Sequence, residues 1–478
     1  MSIDYMKKID ENMDSQIEFL QELLRINSEN ADKVEKDGEI YPFGEGVQQA
    51  YELTMQAADD MGFETENFDN YGGHIDFGEG DEILGIIGHL DVVPAGDGWK
   101  FAPYSGEVKD GYIYGRGTTD DKGPVVATLF AMKALKEAGY TPSKKIRLII
   151  GLDEETNWFG LDHYLEKVKE TPDFGFSPDG EFPVINGEKG IINYDLVKKV
   201  SGKRFKGLEL RKLNGGSVVN MVPENARAVV YREDGKYDEI RQAARKYAEE
   251  TDYNLSVKGA GKSLEILAEG KAAHGASPEA GLNAISILFD FMAKLNFADE
   301  KVNEFMAFYN EHIGFNVHGE KIGCGFEGEL SGKLSFNVGL ASLDKETIKL
   351  GVNTRMPLDK IDEDVYNGMA PFLDQCDIGV VKQKYEAPIF MDADTPMVKT
   401  MMEVYRENTG DTESKPMVIG GGTYSRAFKN MLAFGAMFPG EPDLMHQRNE
   451  KMNLESFDKM TRIFAETIFR LTQKDFHL

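Results

Sequence analysis

The stretch Ile83-Leu84-Gly85-Ile86-Ile87-Gly88-His89-Leu90-Asp91 decides how the rest of the chain is read. Its first six residues are an apolar run broken only by glycine, which reads as a buried strand. Just past Gly88 stand His89 and Asp91, two positions apart. In extended backbone such residues leave the same side. An imidazole beside a carboxylate at a strand end makes a metal ligand with its orienting partner, or the start of a catalytic pair. The plainer reading is a strand ending in a polar loop, and the stretch alone does not choose.

At 478 residues the chain exceeds one ordinary core, and two or three domains are expected. With 41% hydrophobic and 28% charged residues there is enough apolar material for a packed interior. The 82 acidic residues against 54 Lys+Arg give a net charge of -28. That field repels phosphate backbones, so nucleic acid is not an expected partner. Cys324 and Cys376 are the only cysteines, which excludes a disulfide framework and a thiolate zinc site. The opening MSIDYMKKIDENMD has no apolar core of a signal peptide. No run of 18 apolar residues occurs, so no membrane partner is expected and the cytoplasm is the natural compartment.

Around the opening stretch the grammar is α/β. Helical spacing covers 14–27 and 45–61, with strands at 63–68, 71–77 and 83–88. A helix opens at Pro124 and is closed by Gly139. Lys145–Leu152 is a second buried strand, followed by a helix at 159–169. Strand, helix, strand, helix argues for a mixed, largely parallel sheet flanked by helices. Near residue 188 the strands begin to alternate in apolarity: 191–200, 226–231, 255–258, 264–269 and 347–354, with helices at 237–250 and 281–296. This is an α+β domain inserted at 188–387, with 1–187 and 388–478 forming the α/β catalytic domain. The second part of that domain carries a helix at 396–407, short strands at 417–422 and 431–437, and a closing helix at 454–471. No internal repeat is visible in the residues.

Each apolar segment of the α/β half ends in acids or histidine. These are His89 and Asp91, Asp120 and Asp121, Asp153 to Glu155, Asp179 and, after 431–437, His446. The carboxyl ends of strands in such sheets line the ligand crevice. Taken singly, an acid after a strand is most simply a cap or a solvated loop residue, and a histidine a satisfied core or surface group. Gathered together, these charges call for divalent cations. Imidazole and carboxylate without thiolate suit zinc, manganese or cobalt. The Gly115-Arg-Gly117 run is not a dinucleotide fingerprint, because its third glycine is misplaced. HExxH and GxSxG are both absent. Gly420-Gly-Gly422 lacks a following Lys, so it reads as a close backbone approach to a ligand rather than a phosphate loop.

The motifs together resemble a known family. Gly88-His89-Leu-Asp91-Val-Val-Pro94, Gly115-Arg-Gly-Thr-Thr-Asp120-Asp-Lys-Gly123, Asp153-Glu154-Glu155, Ser177-Pro-Asp179 and the late His446 look like the ordered metal motifs of the aminoacylase/carboxypeptidase-type di-metal metallopeptidases. Phe176-Ser-Pro-Asp179, Ile185-Asn-Gly-Glu-Lys-Gly190 and a lid of about two hundred residues resemble the PepV-type dipeptidases of bacteria within it. The resemblance implies two divalent ions, zinc first, with manganese and cobalt also suited. Asp120 would bridge them, His89 and Asp179 would complete one site, and Glu155 and His446 the other. Asp91 would hydrogen-bond the far nitrogen of His89, and Glu154 would be the general base. The peptide after the bridging aspartate is cis in this family, which implies a cis Asp120-Asp121. In the lid, His274 of Lys271-Ala-Ala-His274-Gly-Ala-Ser-Pro278 would donate to the oxyanion. Asn220 would bind substrate beside the scissile bond. Arg355 would take the substrate carboxylate, helped by Gly421, Gly422 and Thr423. Elsewhere in the family a shorter lid dimerises, whereas the PepV-type lid mimics its partner within one chain, which implies a monomer.

The function expected is a metal-dependent dipeptidase acting on a small peptide with a free amino terminus. An N-acyl amino acid or succinyl-diaminopimelate deacylase of the same family is the competing enzyme. A catalytically silent metal- or peptide-binding protein is the alternative from another class, against which Glu154 argues.

Overall fold

The computed structural model describes residues 4–36, 38–201 and 206–478. Residues 1–3 of the opening segment lie outside them. The chain forms two compact units, Met1–Gly187 with Phe390–Met417 and Gly422–Leu478, and Glu188–Ile389 with Val418–Gly421.

In the first unit four strands are buried on both faces and lie parallel, as expected of a sheet covered on each side. Ile83–His89 is buried throughout. It pairs in parallel with Lys145–Gly151 and with Phe174–Ser177. Phe174–Ser177 in turn lies parallel to Met431–Ala433. The flank is antiparallel, with Gly73–Phe77 against Lys145–Gly151 and Glu64–Asn67 beyond it. All three parallel pairings send their carboxyl ends the same way, which collects the chemistry at one edge.

The helix Lys122–Glu137 is buried on nearly every side, lying between the helices Tyr5–Leu24 and Leu454–Leu471. It starts two residues before Pro124, so the proline occupies its first turn without costing an N–H bond. Gly139 follows its end at φ 78°, where a Cβ would be strained. The helix Leu454–Leu471 opens on Asn453, whose side chain accepts from Glu455 N, and buries Phe457, Met460, Ile463, Phe464 and Ile468. Each such side chain contributes roughly 1.5–3 kcal/mol by burial.

The first helix differs from the sequence reading. It spans Tyr5–Leu24, beginning well before residue 14, on an Asp4 cap that accepts from Lys7 N. Its early turns face the core with Asn12 and Gln16, which donate to Glu137 and Thr461. Buried polar residues with partners broke the apolar stripe without breaking the helix.

The second unit is built on one eight-stranded antiparallel sheet. From one edge the order is Asn254–Ala260, Ser263–Glu269, Asn225–Tyr231, Glu209–Gly215, Ser335–Asp344, Thr347–Met356, Gly190–Lys199 and Ile378–Glu386. The two halves share one path. In the first half two paired strands, 209–215 and 225–231, are followed by the helix Asp238–Thr251. An edge strand, 254–260, comes next, then the inner strand 263–269. In the second half 335–344 and 347–356 are followed by the helix Asp362–Gln375 and the edge strand 378–386. The inner strand there is Gly190–Lys199, which comes from the beginning of the unit. The halves join where Asn214 and Gly215 face Ser342 and Ala341. No repeat is visible in the residues, yet the two halves of the sheet follow the same path, the second in permuted chain order. No helix among the described residues is long and apolar enough to cross a membrane.

Candidate metal centre

His89 is the last residue of its strand, and Gly88 before it cannot carry a side chain. A Cβ there would fall 2.4 Å from Asp121 Oδ2 and 2.6 Å from Val125 Cγ2. The space is used by Asp121, whose Oδ2 accepts from His89 N at 3.1 Å. The Asp120–Asp121 peptide is cis. His89 Nδ1 donates to the backbone carbonyl of Asp91 at 2.9 Å, with the Asp91 carboxylate 3.3 Å away. A carbonyl can only accept, so Nδ1 holds the proton and Nε2 presents its lone pair when the ring is neutral. The main chain of Asp91 and its carboxylate, the expected partner, thus both lie against Nδ1 and orient the ring.

The Asp91 carboxylate has a different set of bonds. Oδ1 accepts from Glu154 N at 3.1 Å. Oδ2 accepts from Glu155 N at 3.1 Å and from Asn30 Nδ2 at 2.8 Å. Asp153, where strand Lys145–Gly151 runs out, spends its carboxylate on Gly160 N at 3.1 Å and so starts the helix Phe159–Lys167. Of the acid run at 153–155, only Glu154 and Glu155 remain for chemistry. Trp158, at φ 62°, closes the turn by donating Nε1 to Glu154 O.

These strand ends bring six expected residues together. Asp120 offers one oxygen to each histidine: Oδ1 is 3.1 Å from His89 Nε2, and Oδ2 is 2.8 Å from His446 Nε2. Glu155 Oε1 lies 3.0 Å from His446 Nε2. Asp179 Oδ2, beyond strand Phe174–Ser177, lies 3.8 Å from His89 Nε2. Donor atoms of His89, Asp120 and Glu155 fall within 4.8 Å of one another, and so do those of His89, Glu154 and Asp179. Distance alone would admit Glu154 as a ligand too.

The electrostatics show what the cluster lacks. Burial pushes the Glu154 carboxyl well above the usual range. Burial, then the Asp120 charge, raises Glu155 and Asp179 to about 7. Against burial, the carboxylates of Asp120 and Glu155 hold the His446 imidazole up at about 11. Against burial, both histidines hold Asp120 well below its usual value. Protons thus gather where the acids need positive charge, and a divalent cation would displace them. His89 Nε2 is buried and has no hydrogen-bond partner among the described residues. A lone pair so placed, among carboxylate oxygens and without thiolate, fits a divalent metal of the zinc, manganese or cobalt type.

The expected lid residues lie in the second unit and are described within it. Met221 and His274 face each other in an antiparallel bridge, and Gly275 N donates to Asn220 O at 2.7 Å. Arg355 is buried, donating Nε to Asn353 Oδ1 at 3.0 Å and Nη1 to Gly420 O at 3.1 Å. A Cβ on Gly275 would meet Asn353 Oδ1 at 3.1 Å, and one on Gly420 would meet Ala276 Cβ at 2.8 Å. Asn220, His274, Arg355 and Gly420 with Gly421 thus occupy one neighbourhood. Gly422 and Thr423 belong to the first unit, where Thr423 Oγ1 caps the turn Tyr424–Ala427 by accepting from Ser425 N.

Sequence reasoning missed Asn30, Tyr424 and Glu450. Tyr424 is buried with its ring edge-on to His89, 6.3 Å between centroids, and to Trp158, 4.8 Å. Glu450 is wholly buried beside the Asp120 loop. Its nearness to His446 in sequence was the one available signal.

Residues 85–470 match the model of peptidase family M20/M25/M40. The chain is 36% identical over 458 residues to the "Putative dipeptidase YtjP" of Bacillus subtilis (strain 168), covering 95% of this chain and 96% of that protein. It is 37% identical over 476 residues to a "Putative dipeptidase" of Staphylococcus epidermidis, covering 98% and 100%. Among solved structures, human carnosine dipeptidase 1 superposes with a TM-score of 0.59 at 18% identity, over 98% of both chains. The di-peptidase Dug1p of Saccharomyces cerevisiae does so at 0.58 and 15%, over 99% and 100%. At these identities the structures share the fold.

Proposed function

The chain belongs to peptidase family M20/M25/M40 and is a metallopeptidase, and from that premise we propose that it is a dipeptidase acting on dipeptides with a free amino terminus. The observation that carries the hydrolytic reading is Asp120, which turns one oxygen to His89 and the other to His446. In this reading His89, Asp179 and Asp120 would hold one divalent ion and Asp120, Glu155 and His446 a second, zinc or else manganese or cobalt. Bound there, they would supply Lewis-acid chemistry to the scissile carbonyl and the attacking water.

The chain's own groups do the rest. Glu154 takes a proton from the attacking water and passes it to the departing amine. Its backbone is held by Asp91, so the carboxylate keeps its aim. Glu155 is engaged with His446, which leaves Glu154 as the freer of the two acids. His274 donates to the oxyanion, Asn220 holds the substrate beside the scissile bond, and Arg355 takes the free carboxylate with Gly421, Gly422 and Thr423. The support for this set is the common neighbourhood of Asn220, His274 and Arg355 in their own unit. The protein acts as a monomer, because the two halves of its lid sheet are already paired within one chain. Two free cysteines and no disulfide suit the cytoplasm.

The test is a hydrolysis panel of unmodified dipeptides against N-acylated amino acids, run with elemental analysis of the protein as purified. Turnover confined to the acylated substrates would replace the dipeptidase by a deacylase of the same family. Sedimentation at micromolar concentration checks the monomer, and a stable dimer overturns it.

A further inference from the structure

Two of the residues assigned to the metals, Asp120 and His446, come from segments remote in sequence, and neither segment is regular structure at the ligand itself. What fixes their spacing is a buried acid. Glu450 Oε1 accepts from Thr119 N at 2.9 Å, from Thr119 Oγ1 at 2.9 Å and from Thr118 Oγ1 at 3.3 Å. Its Oε2 accepts from Arg116 Nη1 at 2.6 Å and from Gly117 N at 3.2 Å. The Glu450 carbonyl accepts from Gly115 N at 3.1 Å. Every residue from Gly115 to Thr119, the run that leads into Asp120, therefore bonds to Glu450.

The other side of this clamp is the turn that carries His446. His446 and Asn449 both have positive φ, at 59° and 64°, so this turn is held in a conformation that non-glycine residues seldom adopt. Asn449 Oδ1 accepts from Lys100 N at 2.6 Å, and Gln447 O accepts from Arg116 Nη1 at 3.3 Å. Beyond Glu450 the strand Lys451–Asn453 pairs with Tyr112–Tyr114, which closes the two segments at their far ends. A buried ionised carboxylate needs this many donors, and one cation, to offset its desolvation.

We propose that Glu450 is the positioning residue of the metal centre: it sets the distance between Asp120 and His446, and so preforms the ion site that His446 completes. The proposal rests on the two-ion reading above. Its signature is asymmetry. Loss of the Glu450 bonds loosens most the site of Asp120, Glu155 and His446, two of whose residues stand on segments tied through Glu450, while the site of His89, Asp179 and Asp120 shares only Asp120 with it. Supporting groups of this kind alter metal affinity by about 10–100-fold.

The test is titration of metal-stripped full-length protein with Zn²⁺ and Mn²⁺ by calorimetry, for the wild type, Glu450→Gln and Thr119→Val, with circular dichroism on each. Wild type is expected to bind two ions. Glu450→Gln should bind one ion about 10–100-fold more weakly and the other, which shares only Asp120 with that site, with a smaller loss. Thr119→Val, which removes one hydroxyl bond and keeps the backbone bond, should weaken the same site about threefold or more. A folded Glu450→Gln protein that binds both ions as wild type does overturns the positioning role alone. If Glu450→Gln fails to fold, Thr119→Val decides: a weakened second site supports the proposal and unchanged affinities overturn it. A wild-type protein that binds no divalent ion overturns the two-ion reading, and the proposal with it.

Discussion

The carboxylate of Asp91 accepts the backbone N–H of Glu154 at 3.1 Å, so the residue beside the first histidine also grips the peptide that carries the proposed base. Its second oxygen grips Glu155 in the same way. Asp91→Asn puts an NH₂ where one of these backbone donors points. A fall of about 10–100-fold in metal affinity or turnover is expected, read by metal titration and steady-state kinetics. Wild-type values for both would show that the two acids hold their place without it.

Glu154→Gln keeps the shape of the side chain and removes its basicity. Turnover should drop by about 10²–10⁴-fold, with both ions retained on elemental analysis. Loss of one ion instead would make Glu154 a ligand, the alternative that its distance to His89 and Asp179 admits.

How much of this was legible follows from where each signal is written. The strand Ile83–His89 and the helix Leu454–Leu471 declare themselves locally, one by an apolar run, the other by helical spacing behind an Asn cap. The strands Glu209–Gly215 and Ile378–Glu386 do not, because charged residues on exposed faces dilute their alternation. Beyond its nearness to His446, Glu450 carries no sign in sequence of its burial, since its partner Arg116 lies 334 positions away. The duplicated lid is invisible because the halves share a path and not their side chains.

Removing the metals should destabilise the protein, since the buried acids near His89 would stand without a compensating charge. At a cation concentration a hundred times Kd, one ion adds about 2.7 kcal/mol. A melting temperature lower by about 5 °C or more is expected after chelation, with recovery on adding the cation back. Identical melts with and without cation would contradict the fit of this donor set to a metal.

Gly151 lies under the ring of Tyr424, and a Cβ there would sit 2.2 Å from Tyr424 Cε2. Gly151→Ala must displace a buried ring packed against His89 and Trp158. A loss of about 1–3 kcal/mol is expected in urea unfolding. Pairing it with Tyr424→Leu should cost less than the sum of the two single changes. Strict additivity would mean that the ring does not constrain this glycine.

His74 is buried against Tyr164, with Nδ1 3.0 Å from the phenol oxygen, and Glu66, Asp76 and Arg147 lie nearby. Burial lowers its folded pKa to about 4, against about 6.5 unfolded. Between these values the unfolded chain binds the extra proton, so stability is full above pH 6.5 and is lost as pH falls towards 4. The full effect is about 3 kcal/mol. In denaturant titrations the advantage of wild type over His74→Gln should shrink by that amount across the window. A pH-independent gap would refute it.

The inner strand of the second lid half, Gly190–Lys199, leaves the ribosome before any of its partners. Gly190 faces Met356 on one side, and Ile191 faces Glu386 on the other. The other half consists of consecutive strands and can close as soon as it is made. Connectivity constrains assembly: the consecutive half can pair as soon as it is made, whereas Gly190–Lys199 must wait for Thr347–Met356 on one side and Ile378–Glu386 on the other. The same permutation bars excising the second half as one continuous segment, because no cut in the chain yields it whole.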